Sequence, residues 1–496
     1  MSKIYIFLIT LFSSFIFIQL TTTISFTSSG DGYTVSDNII TITGEGPFEL
    51  TGTQTNKEII ISSSCTLYLN SFSLTNTESL TPIIISSNKN VIISLSEDST
   101  LIDSSSNENE GIIYLQKESS LTISGTKILN LTPNKLMAIN GTEGTSLIVN
   151  DGAEINIQSS SSNIGGIYLR DSIIFNNGIY TYSCSNGEAH ALDTEGSIQL
   201  IKGKYNIISG NGKGIQAEKN LYIGEKDGTD SDLILNIKTS NEGIEAKGIE
   251  IYSGYINIEA DEDGINAAAA GEECDETVKC SGNCECYIKF IGGYLNLTSG
   301  EDGIDANGDI IISGGQIIVF AASDTENQPI DQDGLLSITG GTILAAGSDQ
   351  MSGVNAQTSQ ISKTYSGNIN KGVKLVMNDA NNNNEILSLT TPKAAKYMYL
   401  SYKNSFTVSL DGTQLTLSDP NQNQQGSQPT NSNDDNHKSD GNDGGDGNDD
   451  SDGNDDSDGD NDGDDDDDDD QSVYKTKGYF IKNLDIIFML GLIILF

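Results

Sequence analysis

Gly243-Ile-Glu-Ala246, Gly264-Ile-Asn-Ala267 and Gly303-Ile-Asp-Ala306 are one phrase written three times, preceded by Gly214-Ile-Gln-Ala217 and followed by Gly334-Leu-Leu-Ser337. The five glycines stand 29, 21, 39 and 31 residues apart. The gap of 39 holds a Cys-rich insert, 268–286, without which it falls to roughly 20. Variable insertions on a fixed unit indicate a solenoid.

Alternating strands lie between the phrases. In Gly248-Ile-Glu-Ile-Tyr-Ser-Gly254 and Tyr255-Ile-Asn-Ile-Glu-Ala260 apolar residues recur at every second position, so each strand has one buried face. Three such strands with glycine turns make one coil of about 21 residues. Consecutive coils pair in parallel, and the coil closes on itself without a covering helix. A β-propeller needs about 40 residues per blade and antiparallel hairpin turns, which this spacing does not provide. The expectation is an all-β parallel β-helix over 24–418. Gly111-Ile-Ile-Tyr114 and Gly166-Ile-Tyr-Leu169 continue it upstream, residues 30–100 supply first coils and a cap, and 372–417 form a closing β-segment.

The 496 residues carry 26 Lys+Arg against 70 Asp+Glu, a formal charge of −44. No basic surface exists to neutralise phosphates, which excludes a nucleic-acid binder. Two histidines, His190 and His437, lie too far apart for a His-rich metal site, and a Ser-His-Asp triad has little to draw on. From Asp434 to Asp470 there are 20 aspartates against Lys438 alone, so that tract holds −19 and the rest of the chain still carries −25.

The ends read as addresses. Residues 1–23 have the charged start, apolar run and small-residue exit of a secretory signal, or of an uncleaved anchor. Secretion permits disulfides, and makes Asn130, Asn140 and Asn296, each in an Asn-x-Thr triplet, candidate glycosylation sites. The Asp-rich segment 419–470 cannot bury apolar surface and is expected as a disordered stalk. Residues 471–496 are a polar spacer and a 13-residue apolar end, Leu484 to Phe496, shorter than the ~20 residues of a spanning helix. They read as a glycolipid-anchor signal, with a marginal transmembrane tail as the alternative. Either tethers a secreted protein to the outer face of the plasma membrane. Cys274, Cys280, Cys284 and Cys286 sit in the insert at a spacing unusual for zinc, and two disulfides are expected there. Cys65 and Cys184 either pair or occupy separate coils.

Stacking equivalent residues about 4.8 Å apart creates two features. Asn236, Asn257 and Asn296 form an outward ladder, with Tyr255 and Tyr294 pointing the same way. Glu242, Asp263 and Asp302 precede the glycine, and Glu245, Asn266 and Asp305 follow two residues after it. Asp261, Glu262 and Glu301 crowd the same turn, and Asp331 and Asp333 extend the row. Such a row of anions repels itself unless a cation lies within it, and calcium takes oxygen ligands at roughly 2.3–2.6 Å. Calcium is the expected cofactor, with a bare hydrated acidic edge as the alternative.

These motifs resemble the bacterial carbohydrate-binding β-helix family named after a Clostridium thermocellum cell-surface protein. Its repeats read Asp-Asp-Gly-Ile-x-Ala, a short strand with Ile-Ser-Gly-Gly, then an alternating strand. The matching stretches are Glu301-Asp-Gly-Ile-Asp-Ala306, Ile312-Ser-Gly-Gly315 and Asp333-Gly-Leu-Leu-Ser-Ile-Thr-Gly-Gly341, with Pro47-Phe-Glu-Leu-Thr-Gly52 near the start. The resemblance implies a right-handed β-helix, calcium in the acidic turns and binding of acidic, polygalacturonate-like or cellulosic polysaccharide. The family is similar to calcium-dependent pectate lyases. Lys213 and Glu242 depart from the pattern by standing where the family often has Asp.

Three functions follow. In the first, the protein is a non-catalytic, calcium-dependent polysaccharide binder at the cell surface, with Tyr255, Tyr294 and Asn257 on the sugar face. In the second, it is a calcium-dependent lyase, which requires a Lys or Arg base; Lys213, Lys247 and Lys289 are the available lysines. In the third, it is a structural surface protein or adhesin.

Overall fold

The computed structural model describes residues 21–420, apart from 106–109, 135–136, 159–164, 185–189, 227–231, 269–285, 325 and 349–355. The signal segment up to residue 20, the acidic stalk, the C-terminal apolar run, and Cys274, Cys280 and Cys284 lie outside the described residues. So does nearly all of the Cys-rich insert.

The described chain is a parallel β-helix of about 11 turns, with no helix among the described residues. Each coil contributes one strand to each of three stacked sheets. Sheet A holds short strands such as Leu192–Thr194, Ile265–Ala267, Ile304–Ala306 and Ile330–Gln332. Sheet B includes Ser197–Leu200, Tyr287–Phe290, Asp309–Ile312 and Leu336–Ile338. Sheet C includes Gly203–Ser209, Leu233–Thr239, Tyr255–Ala260, Tyr294–Thr298 and Gln316–Phe320. In two coils the A and B strands run together as Ile215–Ile223 and Ile244–Ile251. The insert leaves the stack intact: Tyr255 pairs with Tyr294 and Glu259 with Thr298 in one register across it.

The repeated phrase has a steric cause. A Cβ on Gly214 would lie 2.5 Å from the carbonyl oxygen of Gly243, and one on Gly243 would lie 2.5 Å from that of Gly264. Only glycine lets one coil approach the next so closely. The isoleucine after each glycine points inward, and Ile244, Ile265, Ile304 and Ile330 stack with no exposure. The fifth phrase is not the expected one. Pro329-Ile-Asp-Gln332 continues the row, while Leu336–Ile338 pairs with Ile310–Ile312 in sheet B. Gly293, Gly315 and Gly341 close the B-to-C turn of successive coils at φ of 85°, 84° and 90°, a region that disfavours side chains and explains the Gly-Gly pairs.

At the N-terminal end Thr22–Thr23 pairs with Phe48–Glu49, across the expected signal exit, and Tyr33–Ser36 and Ile39–Ile42 form a hairpin. Cys65 and Cys184 are buried in separate coils and are not bonded to each other. The closing segment is antiparallel. Ala395–Tyr402 pairs with both Thr342–Gly347 and Ile361–Ile369, and Lys374–Asp379 lies between Glu385–Thr390 and Phe406–Leu410 in a second sheet. Its apolar side buries Ile318, Phe320, Leu344 and Ala346, the outward residues of the last C-sheet strands. The cap thus lies on the outer face of sheet C.

Candidate functional site

Two outward surfaces gather polar chemistry. The first is an acidic stripe on sheet A. Register places Asp193, Gln216, Glu245, Asn266, Asp305 and Asp331 in one row. Backbone hydrogen bonds between coils place His190, Lys213, Glu242, Asp263, Asp302 and Gln328 in a second row beside it. The expected acids therefore stack as the spacing implied. Asp193 and Gln216 were not anticipated, because their coils lack the acidic form of the phrase, and Gln332 takes the position of the phrase's final alanine. Glu301 and Asp261 are exposed at the rim, Glu262 is half-buried, and Asp333 lies beyond Gln332.

The row contains its own cation at one end. Lys213 Nζ lies 3.1 Å from Glu242 Oε2 and also contacts Glu245 Oε2, all three side chains being at most 20% exposed. Glu242 and Glu245, expected as calcium ligands, are thus engaged by a lysine one coil away. His190 Nδ1 accepts the backbone N–H of Lys213 at 2.9 Å, and burial followed by the nearby Lys213 charge lowers its pKa to about 4.

Beyond Glu245 the two rows continue as carboxylates and amides. Burial, then the charges of Asp263, Asp302, Asp331 and Asp333, raises Asp305 to about 8. Burial and then Asp302 raise Asp263 to about 7, and burial is also the main cause that raises Asp302 to about 6. Gln216 Oε1, Asn266 Oδ1 and Gln332 Oε1 are buried acceptors with no hydrogen-bond donor. Unsatisfied oxygens beside self-repelling carboxylates have the donor chemistry of a hard cation. As placed, no three His, Cys, Asp or Glu side chains among the described residues form a group that could hold a metal, so amide oxygens would have to share in any such site.

The second surface is the outer face of sheet C. Asn236 Nδ2 donates to Asn206 Oδ1 at 2.9 Å, Asn257 Nδ2 to Asn236 Oδ1 at 2.9 Å, and Asn296 Nδ2 to Asn257 Oδ1 at 3.4 Å. The asparagine ladder forms as the alignment implied. Each internal amide uses one donor and one acceptor along the ladder. Its second N–H and remaining lone pair are left over for a ligand. A groove of about 780 Å³ lies over Asn206, Asn236, Asn257 and Asn296, with Ile208 and Thr298 along its floor and Lys371, Pro392 and Lys393 of the cap as its wall.

Tyr255 and Tyr294 border this ladder, with ring centroids 4.6 Å apart and planes within 2°. That contact leaves no room for a sugar between the two rings. Tyr294 packs against the cap. Tyr255 is 46% exposed beside Ile234, itself 36% exposed, and is the open aromatic.

The glycosylation candidates fall in different settings. Asn296 lies in the groove, Asn130 accepts from Asn156 Nδ2 in a shorter ladder, and Asn140 donates to the Glu110 carbonyl. Of the lysines considered as bases, Lys213 is paired as described. Lys289 is paired with Glu250 at 3.0 Å and lies 4.0 Å over the Tyr287 ring. Lys247 is half-buried.

A family model described as a carbohydrate-binding domain-containing protein matches residues 36–229 and 229–370. Together these cover more than half of the chain, including the acidic stripe and the whole asparagine ladder. No curated protein and no solved structure matches the chain.

Proposed function

The chain belongs to the family of carbohydrate-binding domain-containing proteins, and we propose that it is a non-catalytic, calcium-dependent polysaccharide binder displayed at the cell surface. The observation that carries this reading is the groove over Asn206, Asn236, Asn257 and Asn296. Sugar hydroxyls both donate and accept, and a row of half-used amides offers both functions at a fixed interval. The open face of Tyr255 and the exposed Ile234 and Ile208 supply the apolar contact that the C–H face of a pyranose needs.

The amides orient the sugar, the cap shields one side of it, and the paired states of Lys213 and Lys289 leave these two without the features of a tuned base. Calcium, when bound, supplies fixed positive charge to the acidic stripe. Asp263, Asn266, Asp302, Asp305 and Asp331 are the residues that would hold it, with Asp261, Glu301 and Asp333 at the rim. The unsatisfied oxygens of Asn266 and Gln332 support that assignment. Calcium held there would lower the overall negative charge that repels an acidic polymer such as polygalacturonate as it approaches the groove.

Equilibrium dialysis against polygalacturonate and cello-oligosaccharides, with calcium and with chelator, tests the reading. The expected result is saturable binding that chelator weakens by at least about tenfold. Binding that ignores chelator removes the calcium dependence, and no binding of either sugar removes the function. Antibody labelling of intact cells, lost on treatment with a phospholipase that cleaves glycolipid anchors, tests the display.

A further inference from the structure

We infer that the groove is blind at the cap and takes the end of a glycan chain rather than an internal stretch; this rests on the carbohydrate-binding reading above. The ladder positions are Asn206, Asn236, Asn257 and Asn296, and the register continues to Ile318 and then Leu344. Those last two are 3% and 0% exposed beneath the cap, packed with Ile369, Met377 and Met398. The outward row therefore changes at one step from open amides to sealed hydrocarbon. A ligand following the ladder toward the C-terminus meets the cap after Asn296.

The groove is longer along the helix axis than across it. Four ladder coils span three strand spacings, about 14 Å, whereas positions 206 to 208 span only about 7 Å along a strand. An elongated ligand fits with its length along the axis, one sugar for each step between coils. That places about three sugars between the open end at Asn206, which is exposed, and the closed end at Asn296, which is half-buried. Passage through is not available.

The closed end is built by the cap. Lys393 Nζ donates to the Ser299 carbonyl, and Ser323 Oγ donates to the Ala394 carbonyl at 2.8 Å, seating this turn of the cap on the coil that carries Asn296 and on the coil after it. Pro392 stands beside it, and exposed Lys371 faces the same groove. These three wall residues lie beyond the family match, which ends at residue 370. The end wall is thus a property of this chain's own closing segment. The groove is lined by three lysines, Lys238, Lys371 and Lys393, against one carboxylate, Glu259, which Lys238 engages at 2.7 Å; the two cap ammonium groups are thus a local exception in a chain of charge −44, suited to the ring oxygens, hydroxyls or carboxylate of a terminal sugar.

The test uses the full chain with two probes, polygalacturonate and β-1,4-glucan, each as long polymer and as tetramer. A chain-end reader counts ends. Cutting a polymer to about a tenth of its length at constant mass should raise the number of bound protein molecules about tenfold, and the tetramer should bind within about threefold of the affinity of a polymer end. Lys371→Ala should weaken tetramer binding about fivefold with an unchanged melting temperature. A capacity that follows polymer mass and does not rise on cutting overturns the end reading while leaving carbohydrate binding in place. Failure of both sugars at every length overturns both. Unchanged tetramer affinity in Lys371→Ala, together with mass-dependent capacity in the wild type, removes the cap from recognition altogether.

Discussion

The backbone N–H of Asp302 donates to Asp263 Oδ1 at 2.9 Å, and the Asp302 carboxylate accepts the N–H of Gln328 one coil further on. The acids of the stripe are therefore structural rungs as well as like-charged neighbours. Each holds the next coil by its oxygen and repels the next acid by its charge.

This arrangement fixes the pH dependence. Asp263, Asp302 and Asp305 are raised from the ordinary aspartate value to about 7, 6 and 8, with burial the largest cause in each. Raised folded-state values mean that the native protein binds more protons than the unfolded chain above about pH 4, so stability falls as pH rises toward 8. In chelator, the melting temperature should drop by several degrees between pH 5 and pH 8, most steeply between pH 5 and pH 6, where the folded aspartates keep their protons and the unfolded ones have lost theirs. With calcium the drop should shrink. A melting temperature that rises over this range in chelator contradicts the placement of the acids.

Asp302→Asn separates a cation site from a bare acidic edge. Asparagine keeps an oxygen for the Gln328 N–H and removes one charge. In chelator at pH 8 the variant should be stabilised, on the order of 1 kcal/mol. In calcium it should gain less than wild type, because a ligand that binds only the folded state adds RT ln(1 + [L]/Kd) and Kd has risen. Equal stabilisation in both buffers would remove the calcium assignment.

The sequence made the stack legible where physics is local and repeated. Period-two alternation predicted the strands, and the shared offset of Asn236, Asn257 and Asn296 from the phrase glycine predicted the ladder, because in a solenoid equal offset becomes direct contact. The Gly264 and Gly303 phrases likewise predicted the acidic rows. The fifth phrase differs because Pro329-Ile-Asp-Gln332, which has no glycine, takes its place in the row, while Leu336–Ile338 belongs to sheet B. Long-range contacts were not legible. Lys213 reads in sequence as a departure from an acidic pattern; only stacking puts it between Glu242 and Glu245. The groove wall joins Lys393 to Ser299 across 94 residues, and no periodicity encodes that. The mutual occlusion of Tyr255 and Tyr294 depends on ring orientation, which strand alternation leaves open.

Lys213 should be among the most sensitive positions. Lys213→Met leaves Glu242 and Glu245 buried without their cation, and removing one partner of a buried ion pair costs about 3–5 kcal/mol. The loss should be clear in thermal melts at pH 7. A loss below 1 kcal/mol at pH 7 would show that the surrounding water already screens the pair.

The two tyrosines should behave differently. Tyr255→Ala removes the open ring and should weaken sugar binding by about 1 kcal/mol with a small change in melting temperature. Tyr294→Ala removes a ring that packs against the cap and should lower the melting temperature more than it lowers affinity. Isothermal titration and melts on both variants decide the matter, and the reverse ranking would place the sugar elsewhere.

Asn296 carries two incompatible assignments. Its Nδ2 donates to Asn257 in the ladder, and Asn296-Leu-Thr298 is also a glycosylation triplet whose Asn and Thr both line the groove. A glycan on that nitrogen would replace one of its hydrogens and fill the closed end with sugar. Occupancy at Asn296 and polysaccharide binding should therefore exclude each other. In protein from a glycosylating host, molecules carrying the Asn296 glycan should pass through a polysaccharide column unretained, and peptide mapping of the retained fraction should find Asn296 bare. Thr298→Val, which abolishes the triplet but keeps the strand, should raise the retained fraction from that host. The same substitution in protein from a host that does not glycosylate measures the cost of losing the Thr298 hydroxyl from the groove floor, and the gain in the glycosylating host should exceed it. Retained molecules bearing a glycan on Asn296 would move the binding site away from the ladder.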